Sequence, residues 1–453
     1  MSRRDVLLAA LLFAGVVANG LWWSRGIAPN GAPDEGDHYA LVQSVAQTGR
    51  LPHYGDGEFV VSLMGRGHQR IADATNRRGI NRLVVVPEPV ELRIPYVFVP
   101  QLPYALNGWI CKVLGGASYP MARFANTLWI ALAALLVFLA ARAAWPARPL
   151  AALVAGACTA LWPQITFVGA YVNDDAFAIL AAAAFVSACV WCQSGAFTRR
   201  RAAALGGSTG LRLAAKPYVL DFLPLASFWL WRWARRQRAG TTPPALFRRH
   251  VLIALAAAFL VCGPWFIRSA ALYNGDPTGQ SFMRARVREF VESLPPGVLA
   301  PRRALFLKHP DLRPKAADFT GRWLQESVTS FWARFGWMDV RPASVYVTSA
   351  LWLVGLALLA TYAVSRGRAF LDPPGLFALP AFVLLLLGSM WNSYAMDFQP
   401  QGRYLLACVP AVLLQICGGI AALRRTAVAH ALLGVLLAFF VVQSVLLRKL
   451  LVP

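Results

Sequence analysis

Three carboxylates and a histidine fall within five residues, Asp34 to His38, in the stretch GAPDEGDHYALVQ that follows the first hydrophobic run. A carboxylate within hydrogen-bond reach of a hydroxyl can take its proton while a new bond forms at the oxygen, which is general-base chemistry. Asp34 is the candidate base and Glu35, next to it, the alternative. His38 stands four residues after Asp34, and Leu41, Val42 and Val45 continue at helical spacing, so the two share one helix face. That suits a hydrogen-bonding or substrate-contact role for His38, with metal ligation as the other reading.

A second acidic pair, Asp174 and Asp175 in YVNDDAFAIL, occupies a short turn between two apolar runs. Helix capping is one explanation: Asn173 or Asp174 would accept the free amides of the next helix, whose dipole also favours acids there. One acid would serve that purpose. Two acids after an asparagine also suit a carboxylate site for a divalent cation, Mg2+ or Mn2+.

Cations complete the inventory. Lys216, in LRLAAKPYVL, lies in a helix break near membrane depth, where an ammonium needs a partner. Arg403, in QPQGRYLLACVP, follows a glycine that permits close backbone approach, and Tyr404 is its neighbour. Arg268 stands at the end of another apolar run. Such residues often snorkel to the interface, and the chemical alternative is that Lys216 and Arg403 hold a phosphate where lipid meets water, with Arg268 and Tyr404 as further substrate-binding candidates. The stretch SFWARFGWMDV sets aromatics around Arg334 and Asp339; it reads as an interfacial belt or as a surface for stacking a sugar ring, with Trp337 as the stacking candidate. The chain has no G-x-x-x-x-G-K-[ST] or H-E-x-x-H, so ATP-driven transport and zinc proteolysis lack their usual support.

The elements that position these groups must be membrane helices. Hydrophobic residues make up 57% of the 453-residue chain and charged residues 14%, and the mean hydropathy is +0.50, which is the composition of a polytopic membrane protein. The net charge of +23 is spread over short clusters between apolar runs, a topological pattern rather than a nucleic-acid surface. All seven cysteines lie within hydrophobic segments and read as packing residues, not as disulfide, redox or zinc sites.

The first run, ending in Leu21-Trp22-Trp23, is long enough to span and closes on an aromatic anchor rather than a small-residue cleavage site, so it is read as a retained helix. Further runs cover 121–143, 149–170, 175–195, 250–272, 344–364, 374–391, 403–423 and 427–447, and two short helices are expected between 195 and 250. The total is about eleven spans. Arg3 and Arg4, Arg142 and Arg148, Arg199 to Arg201, the cluster from Arg232 to Arg249, Arg366 and Arg368, and Arg424 and Arg425 then share one side, which is the cytoplasm. Residues 94–114 look apolar enough to span, but counting them would place later clusters outside, so they form a helix lying at the outer interface. The chain is a single domain, 1–453, with outer loops at 24–120 and 273–343. Asp34, Glu35, Asp37, Asp174, Asp175, Asp276 and Asp397 all fall at the outer face, with Arg123, Lys216, Arg268 and Arg403.

The order of PDEGDHYA, an interfacial Pro-Tyr segment and ARFANTLWIALAALL resembles the GT-C superfamily of membrane glycosyltransferases, which includes the lipid A aminoarabinose transferase and protein O-mannosyltransferases. NDDAF, AAKPYVL, WFIRSAALYNGDPTG, FWARFGWMDV and QGRYLLACVP are more similar to a bacterial GT-C-like branch. The resemblance implies an all-α bundle in the bacterial inner membrane. It also implies an enzyme that moves a sugar from a polyprenyl-phosphate carrier to a glycan, lipid or protein acceptor at the outer face, with inversion. Asp34 occupies the place of the family's catalytic acid, and Asp174 and Asp175 fall in the loop whose acids help bind a metal in oligosaccharyltransferases. ELRIPYVFVP stands where relatives often carry a Pro-Pro-Leu-Tyr run. Two rivals belong to other classes: a transporter or flippase of a lipid-linked or anionic substrate, and a silent relative serving in assembly. Alternating-access carriers usually show repeats and charges at mid-membrane, whereas here no clear repeat is visible and the acids lie at one face.

Overall fold

A computed structural model describes residues 2–63, 92–193, 197–216, 231, 235, 244–293, 319–365, 372–395 and 399–451. Helix α1 (Arg3–Ser24) is followed by α2 (Glu35–Thr48) and by a two-residue ladder, β1 (Ser62–Leu63) antiparallel to β2 (Leu92–Arg93). Helix α3 (Leu102–Val113) leads into α4 (Tyr119–Ala144), α5 (Pro149–Leu161), α6 (Pro163–Gly169), α7 (Asp175–Gln193) and α8 (Arg199–Leu213). After α9 (Pro244–Leu272) come α10 (Gln280–Glu292), α11 (Leu324–Trp332), α12 (Ser344–Val364), α13 (Phe382–Ala395), α14 (Val409–Ala421) and α15 (Thr426–Arg448). The all-α architecture expected from composition is what the chain adopts.

Among the described residues seven helices are long and apolar enough to cross a membrane, and α5 with α6 makes an eighth if the bent pair is one span. The protein is therefore multi-pass, but the expected eleven spans are not reached. Two reasons are local. The expected single run 149–170 is bent by 64° between α5 and α6, because Pro163 drives Trp162 out of the helical region to φ −57, ψ 119. The run 374–391 is divided into Pro373–Leu376, a π-helical Phe377–Ala381 containing Pro380, and α13. The third reason is coverage: the second short helix expected before residue 250 lies outside the described residues, as do Arg232, Arg236, Arg238, Arg366, Arg368 and Asp397.

Lipid tails are as apolar as leucine, so burying apolar surface does not drive helices together in a bilayer; small side chains and interhelical hydrogen bonds do. The centre of the bundle follows that rule. Ala131, Ala133, Ala134 and Ala141 of α4 are buried against α5 and α7, Ser187 donates to the Leu136 carbonyl at 3.0 Å, and Thr127 donates to the Gly169 carbonyl at 2.9 Å. The cysteines are buried and unpaired.

Helix α3 replaces the apparent span at 94–114. Its 12 residues extend about 18 Å, too short for a hydrocarbon core of about 30 Å. It packs along α2, where a side chain in place of Gly108 would meet Val45 at 2.5 Å; its other face leaves Leu106, Trp109 and Val113 exposed. The two ends of the bundle differ in charge. At one end Arg142 pairs with Asp5 and Arg148 bonds to Thr426; at the other lie α2, α3 and the acids.

Candidate functional site

The site is built around the turn between α1 and α2. Asn30 and Asp34 are both left-handed, with φ 57° and φ 59°, a conformation disfavoured for L-residues and least so for Asn and Asp. Neighbours hold the turn in place. The Asn30 side chain accepts from Gly36 N at 2.9 Å, and the Asn30 carbonyl accepts from the Trp337 indole at 2.9 Å. Asp34 is the N-cap of α2, and its carbonyl accepts from His38 N at 3.1 Å.

Glu35 has a different environment from Asp34. Arg123 grips it through Nε to Oε1 at 2.7 Å and Nη2 to Oε2 at 2.8 Å, and Val172 N donates to Oε1 at 3.2 Å. The guanidinium also donates to the carbonyls of Ser24, Ile27 and Ala28. All the charge is buried and paired, the arrangement in which a charge survives away from water.

The turn after α6 divides its work between three residues. Asn173 does the capping: its Oδ1 accepts from Ala176 N at 3.0 Å, and its amide donates to the Val168 and Tyr171 carbonyls. That leaves both acids for Lys216, whose Nζ lies 2.7 Å from Asp174 Oδ1 and also bonds Asp175 Oδ1. Arg403, in the 3-10 turn Gly402–Cys408, completes the group with Nη2 3.4 Å from Asp34 Oδ2 and Nε 3.8 Å from Asp175 Oδ2. Its guanidinium lies over the Tyr404 ring, and Tyr404 donates to Gln399. Gly402 is required for this approach, since a Cβ there would lie 2.0 Å from the Ser327 carbonyl of α11. A small cavity opens beside Asp175 and Arg403, walled by Arg212, Tyr404, Ile179 and Leu385.

His38 is buried, with Nδ1 2.7 Å from the Tyr104 hydroxyl and its ring against Tyr96 at 4.3 Å. Burial is the largest influence on its imidazole and lowers it, so the ring is neutral near pH 7 despite the acids around it. For Asp34, burial pushes the carboxyl up, but Arg403 and a hydrogen bond from Tyr96 outweigh it and hold it below the ordinary carboxylate range. Asp37 moves the other way: burial raises it, against the pull of Arg93 at 2.7 Å.

Accessibility separates the acids. The Asp34 side chain keeps 30% of its surface, against 0% for Glu35, 4% for Asp174 and 6% for Asp175. Asp34 can thus meet an incoming hydroxyl, while Glu35 is fully buried and accepts from Arg123 and Val172. Asp174 and Asp175 do not fit a divalent cation as they stand, because an ammonium sits between them where the ion would. No group of three His, Cys, Asp or Glu side chains among the described residues is arranged to hold a metal.

The fold thus brings Asp34, His38, Asp174, Asp175, Lys216, Arg403 and Tyr404 together. Arg268 stands apart from them, donating to the Leu51 and Pro52 carbonyls at 2.9 and 3.1 Å. Trp337 reaches the turn as a hydrogen-bond donor. Sequence reasoning overlooked Tyr96 and Tyr104. The available signal was the repeated Pro-Tyr of RIPYVFVPQLPY, which sets two hydroxyls eight positions apart in a segment otherwise read only for its hydrophobicity.

No family model matches the chain, and no curated protein matches it in sequence. Its likeness to solved structures is clear. The archaeal oligosaccharyltransferase AglB from Archaeoglobus fulgidus, in complex with an inhibitory peptide and a dolichol-phosphate, superposes with a TM-score of 0.51 at 12% identity, over 96% of this chain and 55% of that one. ArnT from Cupriavidus metallidurans bound to undecaprenyl phosphate gives 0.48 at 14% identity, over 91% and 60%. The Archaeoglobus fulgidus oligosaccharyltransferase complex with Zn and sulfate gives 0.48 at 15% identity, over 96% and 53%. The chain therefore spans a little over half the length of the proteins it resembles. It is a multi-pass membrane protein with the fold of the archaeal oligosaccharyltransferase AglB.

Proposed function

We propose that the protein is a membrane glycosyltransferase that moves a sugar from a polyprenyl-phosphate donor to a hydroxyl of a glycan, lipid or protein acceptor. The observation that carries this reading is the pairing of one accessible carboxylate, Asp34, with the guanidinium of Arg403 at 3.4 Å, in the fold that AglB has in its dolichol-phosphate complex. The acceptor hydroxyl gives its proton to Asp34 as its oxygen attacks the anomeric carbon. The bond from that carbon to the phosphate oxygen breaks, and the polyprenyl phosphate leaves with the electron pair. Attack from the face opposite the phosphate inverts the anomeric centre. Arg403 and Lys216 receive the growing negative charge, a preorganised electrostatic contribution. Asp174 and Asp175 serve by holding Lys216 in place. His38, Tyr404 and Trp337 line or brace the same space, and Arg268 secures the first long loop.

The charge bias orients the protein with its N-terminus in the cytoplasm and the site facing outward in the inner membrane, within one domain whose long loops are 24–120 and 273–343. The test is Asp34→Asn in cells that otherwise lack the protein, read by mass spectrometry of envelope glycans. A loss of about 100-fold or more in the dependent glycan is expected for removal of a general base. Full product from folded Asp34→Asn protein overturns the base assignment. Saturable substrate movement in proteoliposomes without any glycosidic product overturns the enzyme and favours a carrier.

A further inference from the structure

We propose that Glu35 is a positioning residue: clasped by Arg123 and by the Val172 amide, its carboxylate holds the neighbouring Asp34 in the left-handed turn from which it faces Arg403. This rests on Asp34 being the base proposed above. Glu35 cannot itself meet an acceptor hydroxyl, because its side chain is fully buried and both oxygens accept from Arg123 at 2.7 and 2.8 Å. The clasp joins three parts of the chain that are remote in sequence. Arg123 stands near the start of α4 and also binds the carbonyls that follow α1; Val172 precedes Asp174 by two residues. One carboxylate thus sets the gap between the Asp34 turn and the acids that hold Lys216. Asp34 needs such a hold, since its backbone lies at φ 59° and, once released, would relax toward the ordinary region of an L-residue.

The discriminating substitution is Glu35→Gln. An amide cannot take a proton from a sugar hydroxyl, but its oxygen can still accept from Arg123 Nε and Val172 N, with only the Nη2 bond to Oε2 given up. In cells lacking the endogenous protein, envelope glycan per folded molecule is measured for Glu35→Gln, Glu35→Ala, Arg123→Gln and Asp34→Asn, with folded protein quantified by size-exclusion chromatography. Binding of undecaprenyl phosphate to each variant in nanodiscs is measured in parallel. We expect Glu35→Gln to keep product within about tenfold of the unaltered chain, and Glu35→Ala and Arg123→Gln to fall by about 100-fold, the effect of moving a reacting group by an ångström. Undecaprenyl phosphate affinity stays within about twofold in the Glu35 and Arg123 variants, since the clasp touches neither Lys216 nor Arg403. Glu35→Gln as silent as Asp34→Asn, with folding and lipid binding intact, overturns the proposal and makes Glu35 a reacting group. Undiminished product per folded molecule in Glu35→Ala and Arg123→Gln also overturns it, leaving the pair merely structural. Should Glu35→Ala not fold, the glutamine variant decides alone. Full product from Asp34→Asn overturns the base assignment, and this proposal with it.

Discussion

Helix α4 carries an arginine near each end, and each grips a carboxylate with two hydrogen bonds. Near its last turn Arg142 holds Asp5 at 2.9 and 3.1 Å; in its first turns Arg123 holds Glu35 at 2.7 and 2.8 Å. The bonding is alike and the surroundings are not. Asp5 also closes a capping box with Ser2 on its own helix, and Arg142 spends its remaining donors on Trp145 and Pro146, next to the helix that carries it. That pair fastens α1 to α4. Glu35 caps nothing nearby. Its other partner is the Val172 amide, and the residue before it is strained. The same ion pair is therefore a fastener at one end of the helix and a jig for chemistry at the other, and what distinguishes them is the neighbour of the acid.

The comparison can be tested at several strengths. The largest effect is expected at Lys216, where two buried acids share one ammonium. Lys216→Ala should destabilise the protein by about 3–5 kcal/mol, as removal of one member of a buried pair does. Whatever fraction folds should gain a Mn2+-dependent rise in Tm that the unaltered chain lacks, because the acids are then open to a cation; no Mn2+ response in the folded variant would contradict that account of the pair. Next comes Arg142→Gln, which should lower Tm by a few degrees yet leave glycan product per folded molecule unchanged, in contrast to Arg123→Gln; equal losses from both would erase the distinction between the two ends. A smaller effect is expected from pH. Asp34 must be ionised to act, and its pKa lies below the ordinary carboxylate value, so activity should stay level through neutrality and fall only on acidification beyond that range. An acid limb near the ordinary imidazole value, assigned to His38, would run against the neutral His38 found here. The smallest is Trp337→Phe, which removes one hydrogen bond to the Asn30 turn and should lower turnover only a few-fold, about 1 kcal/mol; a loss on the scale of Asp34→Asn would favour sugar stacking over bracing.

Much of this molecule is readable from its sequence, for identifiable reasons. Apolar runs are local patterns, so most helices stand where hydropathy puts them, and the short helix at 102–113 follows from charge bias rather than from hydropathy. The acids and cations gathered at one end are visible as residue types near helix ends. Their division of labour is not, because it depends on partners far along the chain. Glu35 is held by Arg123, 88 residues away, and by Val172, 137 residues away, and Lys216 meets Asp175 across 41. Arg268 is held by backbone carbonyls, which leave no mark in side-chain composition. Asn173 and Asp174 are equal candidates for the cap in sequence, and only the geometry of the turn assigns the capping to Asn173 and frees the acids. The count of eleven spans is not confirmed among the described residues, where prolines bend the run at 149–170 and divide the run at 374–391, and where the second short helix expected before residue 250 is not included.

Gly402 sets how closely the turn bearing Arg403 can sit against helix α11. A methyl group there would lie 2.0 Å from the Ser327 carbonyl and 2.3 Å from Phe331 N, and Gly402 N also donates to Ser330 at 2.7 Å. The hairpin from Phe335 to Val340, which follows α11, carries the Trp337 bond to Asn30. One short segment of chain thus touches both the turn that carries Asp34 and the turn that carries Arg403.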